Sequence, residues 1–242
     1  MIARIARCAL PLAILCALAA VVSGIGYRLG WWPLGVGFGV LRWAAYAAIV
    51  ATALGVAAVI VARRSGRNQG LASATIALVV GIATFGVPGM MLIKAEELPK
   101  IHDITTDTSN PPSFVAVLPL RANARNSPDY GGPAIAEQQQ RAYPAIVPFE
   151  SKLSPGDAFT RALDVAHSMG WDIVAAVPAE GRIEATDTTL LFGFKDDIVV
   201  RVAPASQGSR VDVRSESRIG QSDVGTNARR VAQFLQKLSR QA

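Results

Sequence analysis

Three long apolar stretches occupy the first part of the chain: Cys8–Ile25, Trp43–Ala62 and Leu71–Ile93. Each runs for roughly 18 to 23 residues without a charge, and a helix rising about 1.5 Å per residue needs about 20 to cross a hydrocarbon layer about 30 Å thick. The pattern predicts three membrane-spanning helices. Beyond them, nine of the fourteen prolines fall between Pro99 and Pro155, which predicts an extended, loop-rich arm over 95–150 rather than long helices. Regular periodicity then returns. "SPGDAFTRALDVAHSMG" predicts a helix with Ser154 as N-cap, Pro155 at the first helical position, Asp157 closing a capping box and Gly170 at the stop. Its apolar stripe is Phe159, Leu163, Ala166 and Met169. Four strand-like runs follow, 171–177, 182–190, 197–203 and 209–217, joined by short turn-type connections that favour an antiparallel meander. Ser222 or Asp223 caps a last helix with the stripe Val224, Ala228, Val231, Phe234, Leu235 and Leu238.

Alternation assigns the two faces of the sheet. In "RVDVRSESR" Val211 and Val213 point one way, and Arg210, Asp212, Arg214, Glu216 and Arg218 the other. In the preceding run Ile198, Val200 and Val202 oppose Asp197, Val199 and Arg201. One face takes the helices; the other meets water, the arm or a partner. The expected fold is therefore α+β: three N-terminal transmembrane helices, then an antiparallel four-stranded sheet with two helices on one face. Residues 1–94 form the membrane anchor, 95–150 an extended arm laid on the domain, and 151–242 an α+β extracytoplasmic domain.

Charge refines the picture. Residues 1–94 carry eight basic side chains and no Asp or Glu, a balance of +8, whereas the remainder is about −2. The basic pI near 9.7 thus belongs to the membrane-like part, and positive charge beside apolar stretches is not a folded basic face, which argues against nucleic-acid binding. Lys and Arg in short loops are held in the cytoplasm. Arg4 and Arg7 precede the first stretch and Arg63, Arg64 and Arg67 join the second to the third, so we expect the N-terminus inside and residues 95–242 outside. In a bacterium with two membranes this is an inner-membrane protein with a periplasmic domain. Tyr27, Trp31 and Trp32 then fit the outer interfacial belt, and Arg42 snorkels to the same interface. The first stretch also fits a cleavable export signal. Leu15 stands before Cys16, where lipid attachment needs a small residue. No stretch carries Asp, Glu, His or Lys in its middle, which speaks against transport by this chain alone. The alanine-rich second stretch allows close helix packing, with its own neighbours or with another membrane subunit.

Three blocks, "IHDITTDTSNPPSF", "GRIEATDTTLLFGFKDDIVVRV" and "GSRVDVRSESRIGQSDVGTNARRVAQFL", resemble the signature blocks of the family called domain of unknown function 1499, found in bacteria and plastid-bearing plants. The resemblance covers about residues 95 to 240 and implies no reaction, ligand or catalytic residue.

Candidate chemistry is sparse. Asp103, Thr105 and Asp107 have the alternate spacing of a calcium loop, but Thr108 stands where glycine is needed and Phe114 where glutamate is, so turn bonding before Pro111 is the simpler reading. "GQSDVG" reads as a turn and helix cap rather than a nucleophile motif. Asp196 and Asp197 are adjacent in a strand and point to opposite faces. We expect no catalytic residue, metal or cofactor. The candidate ligand- or partner-binding residues are Arg201, Arg210, Arg214, Arg218 and Glu184 on the charged strand face, with His102 and Asp103 in the arm. If the five converge, an anionic ligand or acidic partner could be held by forked guanidinium contacts; otherwise they form a solvated or arm-covered salt ladder. The expected function is a membrane-anchored accessory or binding protein of the cell envelope, in contact with membrane lipid. The alternative is a hydrolase-like envelope enzyme acting on a small or lipid-linked substrate, with His102 and Asp103 as its acid–base groups.

Overall fold

A computed structural model of the protein describes residues 2–64 and 70–240. Arg67 of the basic loop, and the side chains of Arg4 and Arg7, lie outside what is described. The chain divides into two compact units, residues 1–94 with 190–193, and residues 95–189 with 194–242.

The first unit holds α1 (Ile2–Arg28), α2 (Leu34–Arg64) and α3 (Leu71–Glu97), each long and apolar enough to cross a membrane. All three outrun the charge-free stretches, since α2 begins before Trp43 and α3 continues through Pro88 to Glu97. Small residues make the contacts between them. Ala9 and Ala13 of α1, Ala51 of α2 and Ala77 of α3 form one buried cluster, and Ala58 meets Ala74 in another. A Cβ on Gly81 would lie 2.3 Å from the Thr52 hydroxyl oxygen and 3.1 Å from the Ala48 carbonyl oxygen, so α2 and α3 approach closely at this glycine.

The second unit is an α+β sandwich of one sheet and a helical layer. Strands β3 (Asp172–Val177), β4 (Arg182–Thr188), β5 (Lys195–Ala205) and β6 (Gly208–Ser217) form the expected antiparallel meander. Two further strands bring the sheet to six. β1 (Asp103–Thr105) and β2 (Phe149–Ser151) both pair with β6, against Arg214–Glu216 and Ser209–Val211 respectively. The arm therefore covers the outer edge of the meander, which would otherwise present unpaired backbone groups. Three-residue strands among prolines carry too little alternation to be read from sequence. The arm also contains α4 (Pro133–Ala142), started by Pro133 at its first position. Gly208, at φ +103°, makes the β5–β6 turn, where a Cβ would clash with the Ser151 carbonyl oxygen at 2.2 Å.

Helix α5 (Pro155–Ser168) begins as its sequence dictates: the Ser154 hydroxyl accepts the Asp157 N–H, and Gly170 leaves at φ +74°. The start of α6 (Thr226–Arg240) differs from expectation. Asp223 accepts the N–H groups of Gly225 and Asn227, so the turn 223–225 replaces the first helical turn, and Val224, at φ +52°, lies outside the stripe. Both helices cover one face of the sheet. Phe159, Ala162, Val165 and Ala166 of α5 and Ala228, Val231, Phe234 and Leu238 of α6 bury Ile183, Ile198, Val200, Val202, Val211 and Val213. Trp171 stacks on Phe234 at 5.3 Å. The charged residues occupy the opposite face, as alternation requires.

Candidate functional site

The charged face is not open. The segment 103–130 runs over it as a strap, and the strap is held by ion pairs rather than by apolar area. Phe114 and Val117 are its buried apolar anchors on this face, packed against Val199 of β5, while Ile104 of β1 enters the core on the helix side.

Arg214 is the centre of this fastening. Its side chain is 3% exposed. The guanidinium forks onto Asp103 at 2.9 and 2.8 Å, and its remaining donors reach the carbonyl oxygens of Pro112 and Pro128 at 3.3 and 2.8 Å. The rings of Phe114 and Tyr130 flank it at 4.7 and 5.7 Å. One guanidinium thus gathers five residues of the strap. Next to it, Arg121 of the strap donates to Asp197 of β5 at 2.8 Å and to Glu216 of β6 at 2.9 Å. Asp197 also accepts two bonds from Arg218, at 2.8 and 2.7 Å, and the Thr186 hydroxyl at 2.8 Å. Farther along β6, Arg201 and Arg210 share Asp212 and Asp107. Asp107 in turn accepts the N–H groups of Ser109 and Asn110, so "DITTDTSN" is an Asx turn ahead of Pro111.

Glu184 of β4, fully buried, fastens the other end. Its two oxygens accept three successive backbone N–H groups, Val115 at 3.0, Ala116 at 2.9 and Val117 at 3.0 Å, and it also pairs with Arg182. Outside the strap, Gln139 of α4 gives both halves of its amide to the Thr105 backbone, at 2.9 and 2.6 Å, in the manner of one more strand residue.

The helix side has its own buried group. Arg230 of α6 binds Asp196 at 2.6 Å and Asp187 at 2.8 Å, and Asn227 joins Ser215, Ser217 and the His102 carbonyl oxygen. Asp196 and Asp197 therefore serve opposite faces with different arginines, and they share nothing.

The structure brings Arg214 and Arg218 into one network with Asp103, and Arg201 and Arg210 into a second; Glu184 stands apart with the backbone of 115–117. Arg121, Gln139, Asn227 and Arg230 complete these arrangements and were missed from sequence, because their partners lie many residues away on other elements. The row Arg210–Arg218 is thus an arm-covered ladder whose guanidinium groups are all paired within the chain.

A cleft of about 440 Å³ lies beside the start of β1, lined by Lys100, His102, Asp103, Arg125, Asn126, Ser127, Asp129 and Gln221. Its loop is fixed by β6: the Arg125 and Asn126 N–H groups donate to the Arg218 carbonyl oxygen, and the Asn126 amide to the carbonyl oxygens of Ser217 and Gly220. His102 Nδ1 lies 3.4 Å from the Gln221 carbonyl oxygen. Ser127 bonds with Asp129 of its own turn. Among the described residues no group of three or more His, Cys, Asp or Glu could hold a metal.

The family described as "Protein of unknown function (DUF1499)" matches residues 103–238, more than half of the chain and every residue of the two strap networks. The chain belongs to the DUF1499 family. No curated protein matches it. The three apolar helices precede the DUF1499 region, and Lys100 and His102 stand just ahead of it.

Within the DUF1499 unit the carboxyl of Glu216 is pushed up to about 8, first by burial and then by the charge of Asp103, which together outweigh Arg121 and Arg214. Among the described residues no hydrogen-bond donor reaches its Oε2. Burial also raises Asp103, against the opposing pull of Arg214. A carboxyl raised in the folded state binds its proton there between the unfolded value of 4.5 and about 8, so stability is lost as pH rises through that window, by at most about 1.4 kcal/mol per unit for one group. Unfolding of the full chain in detergent should show this fall between pH 5 and 8, and Glu216→Gln should flatten it. Equal slopes in the two proteins would contradict the assignment to Glu216.

Proposed function

We propose that this DUF1499 protein is a membrane-anchored binding protein of the cell envelope, with its α+β unit on the outer side of the cytoplasmic membrane and its ligand or partner held at the cleft around His102. The observation that supports the cleft over the strand face is the state of the cations. Arg201, Arg210, Arg214 and Arg218 are each paired with a carboxylate. Lys100 and Arg125, at the cleft, make no ion pair with any described residue. The orientation rests on the basic residues around the first helix and between the second and third. The enzyme reading draws on His102 and Asp103 meeting at the same cleft, but both Asp103 oxygens are taken by Arg214, and Ser127 is bonded within its own turn. A base needs a free lone pair within reach of its proton.

A reporter fused after Ala242 tests the placement. We expect activity only for a reporter that works in the exported compartment; activity of a cytoplasm-dependent reporter would reverse the orientation.

A further inference from the structure

We infer that the cleft is an oxyanion site for a phosphate group, an inference that rests on the cleft being the binding site. Lys100, Arg125 and Gln221 line it, and the side chains of all three are exposed and have no hydrogen-bond or ion-pair partner among the described residues. The acids in the wall do not cancel them. Asp103 is neutralised by the Arg214 fork, and Asp129, the one acid left uncompensated, accepts the Ser127 hydroxyl. With both cations counted, the balance stays positive before His102 is considered. The backbone beneath the cations is fixed, because the Arg125 loop hangs from the end of β6 and Lys100 precedes Ile101, which is buried in the core and whose carbonyl oxygen accepts the Asp223 N–H.

The donor types select the anion. A guanidinium offers a flat fork and an ammonium a point charge, and together with an amide they address three oxygens in different directions, which a tetrahedral phosphate presents and a planar carboxylate does not. A cleft of about 440 Å³ admits a substituted phosphate as readily as the bare ion. Ile135 and Gly131 supply an apolar wall beside the cations for the group that carries the phosphate. That carrier is either an anionic phospholipid headgroup, abundant around a chain with three membrane helices, or free phosphate in solution.

The test uses the full chain in maltoside micelles. Binding is measured by calorimetry for inorganic phosphate and, separately, for micelles doped with phosphatidylglycerol against phosphatidylcholine. We expect saturable binding of one phosphate probe, weakened at least tenfold in the Lys100→Gln, Arg125→Gln double variant and unchanged in Lys152→Gln, an exposed lysine away from the cleft. Saturation by inorganic phosphate identifies the free ion as the source; saturation by phosphatidylglycerol alone identifies the headgroup. Absence of binding by both probes, or equal binding by the double variant, overturns the phosphate assignment. If a molecule co-purifies with the wild-type chain and is lost from the double variant while both probes fail, the ligand class is wrong and the cleft remains the binding site. Retention of that molecule by the double variant removes the cleft as well.

Discussion

Arg214→Gln should destabilise the α+β unit by about 3–5 kcal/mol, the cost of leaving one member of a buried ion pair without its partner. The glutamine cannot reach around to Asp103, Pro112 and Pro128 together, so a carboxylate in a site 5% exposed loses both of its donors and two carbonyl groups lose theirs. The rings of Phe114 and Tyr130 lose the cation between them. Arg210→Gln should cost no more than about 1 kcal/mol, since its side chain is 36% exposed and Asp212 and Asp107 keep Arg201. Chemical unfolding of the full chain in detergent measures both. A loss of about 0.5 kcal/mol or less for Arg214→Gln would make the row an ordinary surface ladder.

The second large effect belongs to Glu184→Ala, with an expected loss of about 3 kcal/mol. Three backbone N–H groups point at one carboxylate, and alanine leaves all three to water that must enter between the strap and β4. Arg182 retains Glu180, so the damage should be confined to residues 115–117. The check is the pairing of a lower unfolding midpoint with faster amide exchange at those positions. A lower midpoint with unchanged exchange there would place the cause elsewhere.

How much of this was legible depends on the range of the interaction. The spans, the α5 cap at Ser154 and the four strands of the meander follow from neighbours a few residues apart, and they appear where periodicity puts them. Strand parity correctly sent Asp196 and Asp197 to opposite faces and Val199 toward the strap. It could not show what lay over Val199. That required Phe114 and Val117, whose apolar character is ordinary, to be placed by the Glu184 carboxylate some seventy positions away. The strands β1 and β2 were hidden for the same reason: each is three residues long and exists because β6 offers an edge, not because its own sequence alternates. Arg214 and Asp103 were both singled out from sequence, but their pairing was not, since sequence shows charge and cannot show the partner that the fold supplies. Lys100 and Arg125 drew no notice because a free cation in a loop looks like solvated surface until a cleft forms around it.

The charged strand face fastens the strap 103–130 to the sheet through Arg214, Arg121 and Asp197. Hydrogen exchange over residues 103–130, compared between the wild-type chain and Arg214→Gln under native conditions, tests this most directly. Slow exchange at Val115, Ala116, Val117 and Thr106 in the wild type, accelerated at least tenfold in the variant while the β4–β5 amides stay protected, is the result predicted. Fast exchange of those amides in the wild-type chain, or equal protection in both proteins, would contradict it.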